Sequence, residues 1–243
     1  QFWEARDSNP KGFFETKEIN GINEEILDPL VPSRLHLFGK TFLRQRPRKM
    51  DRWLAVVPVN TKVQSSPDIN QRIEEATKQE PYCFKDPRFS YTLPAWKPYL
   101  KNEVYICVFR DPASTASSIV KECQETPKLR DPKKGVKISW KRALQIWNSM
   151  YSHILQNHYN SKEQEKWLFL HYNQAVTEEG LKKLEAFTGA SVDYSFPDPS
   201  IRRSFSSNSV PISTIQVYEQ LCQLADYKEN FNNEKLNQKN FKK

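Results

Sequence analysis

The sequence predicts an α/β fold, a three-layer sandwich with a mostly parallel central sheet. Three observations lead there. Short apolar runs at 82–85, 103–109 and 167–172 alternate with segments of helical periodicity, and strands alternating with helices imply a mostly parallel sheet covered on both faces. The run at 103–109 passes directly into a helix start, with Asp111 as N-cap and Pro112 as first helical residue. A chain of 243 residues suits one large domain, here placed at 1–226, with a substantial core.

The elements follow in order. Residues 1–15 read as a polar lead-in with a turn at Asn9-Pro10-Lys11-Gly12. A helix is expected over 17–27, with Ile19, Ile22, Asn23 and Ile26 on one face. Residues 28–52 hold Pro29, Pro32, Pro47 and the basic run 44–49, and read as loop with one short helix. Residues 53–59 read as a strand or a packed loop. Ser66-Pro67-Asp68 starts a helix to about residue 79. A short buried strand at 82–85 leads to a proline-interrupted helix at 90–100, the central strand at 103–109 and its helix at 113–124. A charged loop is expected over 126–135. The strongest helix spans 138–159, where Trp140, Leu144, Trp147, Tyr151, Leu155 and His158 recur at helical spacing. A strand at 167–172, a helix at 177–188 closed by Gly189, a loop at 193–211 and a last helix at 213–225 complete the domain. The polar tail 227–243 has little to bury and is expected to fray.

The net charge of +8 suits an anionic ligand, and phosphates of any kind would serve. Cys83, Cys107, Cys123 and Cys222 form no CxxC pair, so neither a disulfide framework nor a metal site is expected, and a reducing cytoplasm fits. The four histidines, His36, His153, His158 and His171, have no ligand spacing and read as structural. No apolar run is long enough to span a membrane and no signal peptide is evident. The start at Gln1 leads us to expect a further segment upstream.

The chemistry concentrates at 104–122. A strand ending on Arg110 meets a helix N-terminus, and Ser114 and Ser118 follow at intervals of four. A cation at a strand end, a helix start and a line of hydroxyls make an anion site, most naturally for phosphate. The plainer alternative is a βα unit with an Arg–carboxylate pair and a serine-rich helix. Lys85, at the end of its expected strand, would add a second cation.

Arg110-Asp111-Pro112 with Ser118 eight residues after the arginine resembles the 3′-phosphate-binding motif of sulfotransferases that use 3′-phosphoadenosine 5′-phosphosulfate (PAPS). Asn9-Pro10-Lys11-Gly12-Phe13-Phe14-Glu15, Phe84-Lys85-Asp86-Pro87-Arg88 and Arg203-Ser204 resemble a bacterial branch of that family, in order and spacing. The resemblance implies a P-loop NTPase-like fold and sulfuryl transfer from PAPS, without a metal, to a hydroxyl or amine of a small-molecule or glycan acceptor. No specific nucleic acid and no membrane is implied as partner. By the resemblance Arg110 and Ser118 would grip the 3′-phosphate, with Ser114 on the same line, and Arg203 would close a late basic loop over it. Glu15 would be the base and Lys85 a phosphate ligand or leaving-group stabiliser. Each has a plainer alternative. Glu15 could decorate the first turn of the next helix, Lys85 could form a salt bridge with Asp86 or a neighbouring acid, Arg203 could be solvated, and Arg88 could be a surface pair.

The chain departs from the family in one respect. A glycine- and serine-bearing loop for the 5′-phosphosulfate, with its strand, should precede residue 9, and none of the six glycines supplies it. Either the sequence is a piece of a working enzyme, which the start at Gln1 favours, or it is a degenerate, non-catalytic relative that binds nucleotide or acidic polymer. A kinase of similar fold is the other enzyme reading, but it needs a P-loop lysine and an acidic Mg²⁺ ligand, and neither is evident.

Overall fold

A computed structural model describes residues 2–4, 10–31, 35–37, 40–42, 52–130, 138–198 and 208–228. Arg203, the basic run 44–49 and most of the tail lie outside the described residues. The helices are α1 (Lys17–Leu27), α2 (Pro67–Thr77), α3 (Phe89–Trp96), α4 (Pro112–Arg130), α5 (Trp140–His153), α6 (Tyr172–Ala175), α7 (Glu178–Thr188) and α8 (Ile212–Leu224). The strands are β1 (Leu35–Leu37), β2 (Lys40–Phe42), β3 (Tyr105–Phe109) and β4 (Trp167–His171). The class is α/β.

Most helices begin where their capping chemistry says. Thr16, Ser66, Ser139 and Thr177 each accept a backbone N–H three residues on, which satisfies one of the orphan donors of a helix start. α1 then buries Ile19, Ile22 and Ile26 against Ile69 and Ile73 of α2 and Trp96 of α3. Full burial of each such side chain contributes about 1.5–3 kcal/mol. α7 ends on Gly189 at φ +67°, the left-handed cap expected there.

β3 and β4 are parallel, with Tyr105 opposite Trp167 and Phe109 opposite His171. Cys107 and Phe109 point into a core built with Trp147 of α5, Phe169 of β4 and Tyr218 and Leu221 of α8. Burial pushes the Cys107 thiol up to about 12, so this cysteine behaves as a small hydrophobe. The opposite face of β3 is different. Val104, Ile106 and Val108 are 45 %, 41 % and 48 % exposed.

Four expectations are corrected. Residues 82–85 form no strand. Tyr82 stacks on Phe84 and Phe84 packs on Trp96, so aromatic contacts rather than a hydrogen-bonded ladder fix this stretch, and Cys83 is exposed. The loop expected from residue 126 is helical as far as Arg130, through Pro127, in keeping with the good helix formers Lys128, Leu129 and Arg130. Residues 35–42, read as loop, contain the antiparallel pair β1–β2, whose three-residue strands are too short for a period to show. The long helix expected over 138–159 is α5 followed by a π-helical turn, Ile154–His158.

Candidate functional site

Glu15 is fixed by its backbone before its side chain. Trp3 N–H donates to the Glu15 carbonyl at 3.0 Å, and Phe2 bridges to Thr16. Thr16 is the N-cap of α1, so Glu15 lies outside the helix rather than in its first turn. Its carboxylate accepts from Lys85 Nζ at 2.6 Å and from Asn20 Nδ2 at 3.3 Å. Lys85 also donates to the Phe13 carbonyl at 3.0 Å. The plainer reading of Lys85, a salt bridge with Asp86 or a neighbouring acid, is met by Glu15 rather than by Asp86. The lysine reaches back across the fold to Glu15, and Asp86 is engaged elsewhere.

Asp86 is the anchor of this corner. Its side chain accepts from Asn20 at 2.7 Å, Asn23 at 2.9 Å, and the backbone N–H and guanidinium of Arg88 at 2.8 and 3.0 Å. Arg88, which could have been a surface pair, is only 4 % exposed. It also donates to Glu24 through Nε at 2.6 Å. Arg52 lies 3.7 Å from the second Glu24 oxygen and also pairs with Asp28. Burial raises the Glu24 carboxyl above the usual carboxylate range, with Arg88 and Arg52 pulling the other way. Buried, paired charges of this kind hold geometry, because removing one leaves an uncompensated ion. The half-exposed Lys85–Glu15 pair contributes at most about 1 kcal/mol to stability. The Asp86–Arg88 network thus sets the backbone from which Lys85 projects, and sequence reading missed Asn20 and Glu24 in it. The signal was there: polar residues interleaved with isoleucines on the apolar side of α1.

The second group surrounds the end of β3. Asp111 caps α4, its carboxylate accepting the Ser114 N–H at 2.7 Å and its carbonyl accepting the Thr115 N–H at 3.0 Å. Arg110 therefore precedes the helix rather than continuing its face. Its guanidinium lies over the Tyr172 ring, 5.2 Å from the centroid, and its carbonyl accepts from Trp147 Nε1 at 3.2 Å. Ser114 is buried, and Ser118, one turn further, is exposed. Trp147 belongs to the core, as its spacing indicated.

Tyr172, which sequence reading missed, opens α6, and α6 is held from two sides. His171 Nδ1 accepts the Asn173 N–H at 3.1 Å, while its ring stacks on Tyr227 with centroids 3.8 Å apart. Asn173 Nδ2 donates to the Tyr227 hydroxyl at 2.8 Å, and Gln174 Nε2 donates to the Ala225 carbonyl at 2.9 Å. The end of α8 thereby braces the platform on which Arg110 rests. His153 and His158 are buried, with Nε2 on the Val57 and Ser90 carbonyls at 3.0 and 2.8 Å.

Glu15 and Lys85 are thus brought together, and Arg110, Ser114 and Ser118 share one strand–helix junction. The contacts described for the two groups have no residue in common. The lead-in loop does touch the start of the late loop: Lys11 donates to the Phe196 carbonyl, and Phe14 meets the Phe196 ring edge-on at 5.5 Å. Among the described residues no helix is long and apolar enough to cross a membrane. The chain matches no protein-family model, no curated protein and no solved structure.

Proposed function

We propose that this chain belongs to a PAPS-dependent sulfotransferase and carries its 3′-phosphate site and its catalytic base. The observation behind this reading is the junction at Phe109–Ser118. A guanidinium stands at the carboxyl end of a parallel strand, where ligands of α/β sheets bind. A capped helix start follows, and the exposed Ser118 lies one turn beyond Ser114. Arg110 and Ser118 present the polar groups to the phosphate, while Ser114 lies beneath them in the turn. Arg203, from the loop after Phe196, would complete the cradle.

PAPS would supply an activated sulfuryl group on a phosphate leaving group. The chain's own part is positioning and proton transfer. Glu15 takes the proton of the acceptor hydroxyl as that oxygen forms its bond to sulfur, and Lys85 holds the carboxylate in place and offers positive charge beside it. The three-layer, P-loop-like architecture is part of the same proposal. The apolar face of Val104, Ile106 and Val108 fits it, because parallel sheets are covered on both faces. A further strand and layer bearing the 5′-phosphosulfate loop would cover it.

Calorimetric titration with adenosine 3′,5′-bisphosphate tests the reading, with 5′-AMP as control and Arg110→Ala alongside, on this chain and on one extended upstream. Binding that needs the 3′-phosphate and disappears in Arg110→Ala is the expected result. Equal affinity for both nucleotides in both chains would overturn it. Steeply salt-dependent binding to any polyanion would then make the +8 charge the functional feature.

A further inference from the structure

The loop that delivers Glu15 has a second feature, which phosphate binding and proton transfer leave unused. Gly12 and Phe14 both occupy the left-handed backbone region, at φ +91° and +53°. Glycine tolerates this freely, whereas a bulky L-residue is strained there. Neighbouring side chains of this loop go to opposite sides. Glu15 goes inward to Lys85, its side chain 12 % exposed, while the Phe14 ring goes to the surface at 52 %. The aromatic partner of Phe14 is Phe196, itself 46 % exposed, with the ring planes at 77°. The Lys11 ammonium lies 4.7 Å from the Phe196 centroid, on the carbonyl of the same residue. The strained Phe14 therefore sets its ring half-exposed beside the half-exposed Phe196 ring, which Lys11 overlies, with the ring planes at 77° and one residue from the proposed base. Strained positions persist where the surroundings enforce them, and they cluster at ligand sites.

We propose that Phe14, Phe196 and Lys11 form the acceptor subsite and that it takes a pyranose ring of a glycan. This rests on the sulfotransferase reading only for the role of Glu15. The shape of the corner selects the ligand class. Small aryl ligands are held in clefts that bury most of their surface, and among the described residues this corner is open. A pyranose needs cover on one face alone. Its axial C–H groups carry partial positive charge and match the negative face of a phenyl ring. Its hydroxyls stay hydrated at the rim, where the Lys11 ammonium keeps donors beyond the one given to Phe196. A hydroxyl of the stacked ring is then the group presented to Glu15.

The test needs neither PAPS nor turnover. Saturation-transfer NMR would be recorded on the chain with cellotriose, chitotriose and maltotriose, and with p-nitrophenol as the aryl control. Phe14→Gly, Phe196→Ala and Lys11→Met would be run beside it. At least one trisaccharide is expected to bind, weakening about tenfold or more in Phe14→Gly and in Phe196→Ala. Phe14→Gly removes the ring and the strain together, so its urea midpoint should match or exceed that of the parent. Three results would each overturn the proposal: no trisaccharide binding, binding indifferent to loss of the rings, or p-nitrophenol bound in their place. A fall in the urea midpoint of Phe14→Gly would also overturn it, by making the ring a packing element. Because no nucleotide is present, failure here leaves the adenosine 3′,5′-bisphosphate result standing, and the reverse also holds.

Discussion

Lys85 Nζ lies 2.6 Å from Glu15 Oε1, joining two segments 70 residues apart. The pair is worth little to stability, so its value is positional. Under the proposed function Glu15→Gln should lower kcat by about 10²–10⁴-fold, the usual range for a lost general base. Affinity for adenosine 3′,5′-bisphosphate should stay within about twofold, since Glu15 is not among the proposed phosphate ligands. Lys85→Met should move the urea midpoint by less than the equivalent of about 1 kcal/mol. Single-turnover transfer and urea unfolding of the same variants check all three.

Arg88 behaves oppositely. It is buried between Asp86 and Glu24, so Arg88→Met should destabilise by about 3–5 kcal/mol, and adding Glu24→Gln should recover part of that loss. Burial already raises the Glu24 carboxyl, and removing Arg88 takes away an opposing charge. A carboxyl raised in the folded state takes up its proton there before it does in the unfolded chain. Arg88→Met should therefore gain stability as pH falls through the raised value toward 4.5. Urea unfolding between pH 8 and 5, taken as the difference from the parent chain, measures it; a difference that stays constant with pH would show that Glu24 is not the group left uncompensated.

His158 sets a second pH dependence, with the opposite slope. Burial pulls its imidazole from 6.5 down to about 4, and the backbone bond to Ser90 only partly opposes this. The folded pKa is depressed, so between those two values the unfolded chain binds the extra proton. Stability is full above 6.5 and declines as pH falls toward 4, by about 3 kcal/mol at the limit. His153 is shifted in the same direction, also by burial. His158→Gln should flatten the profile between pH 7 and 5, and an unchanged slope would assign it elsewhere.

Gly180 is held by space rather than by backbone angle. A Cβ placed there would sit 1.9 Å from the Gln174 carbonyl oxygen. Gly180→Ala must push α7 off α6 and should cost roughly 2–3 kcal/mol. Because Gln174 also ties α6 to Ala225, the Arg110 platform should loosen with it. Hydrogen exchange across 170–176 is expected to rise with the loss of stability, and unchanged exchange there would separate the two.

Local chemistry was the legible part of this fold. The bounds of α1 and the caps at Ser66, Asp111 and Gly189 stand where short-range signals placed them, because capping depends on three or four consecutive residues. The strand expected at 82–85 failed for a complementary reason. An aromatic run reads alike whether it joins a ladder or packs on Trp96, and only a distant partner decides. Among the sites, Glu15 and Lys85 could be named singly, yet their pairing depends on Asp86 fixing the backbone across 66 residues to Asn20. The surface-pair alternative for Arg88 stayed open because one-dimensional context does not show a carboxylate arriving from α1.

The brace at the end of α8 also decides how this protein should be handled. Tyr227 lies on His171, one residue from the Tyr172 ring under Arg110, so the segment ending α8 stands close to the proposed anion site. An affinity tag fused directly there would begin next to the nucleotide under test, and a purification handle is better placed elsewhere. For the same reason a fluorophore attached at Lys228 would serve as a proximity reporter, turning ligand arrival at Arg110 into an optical signal.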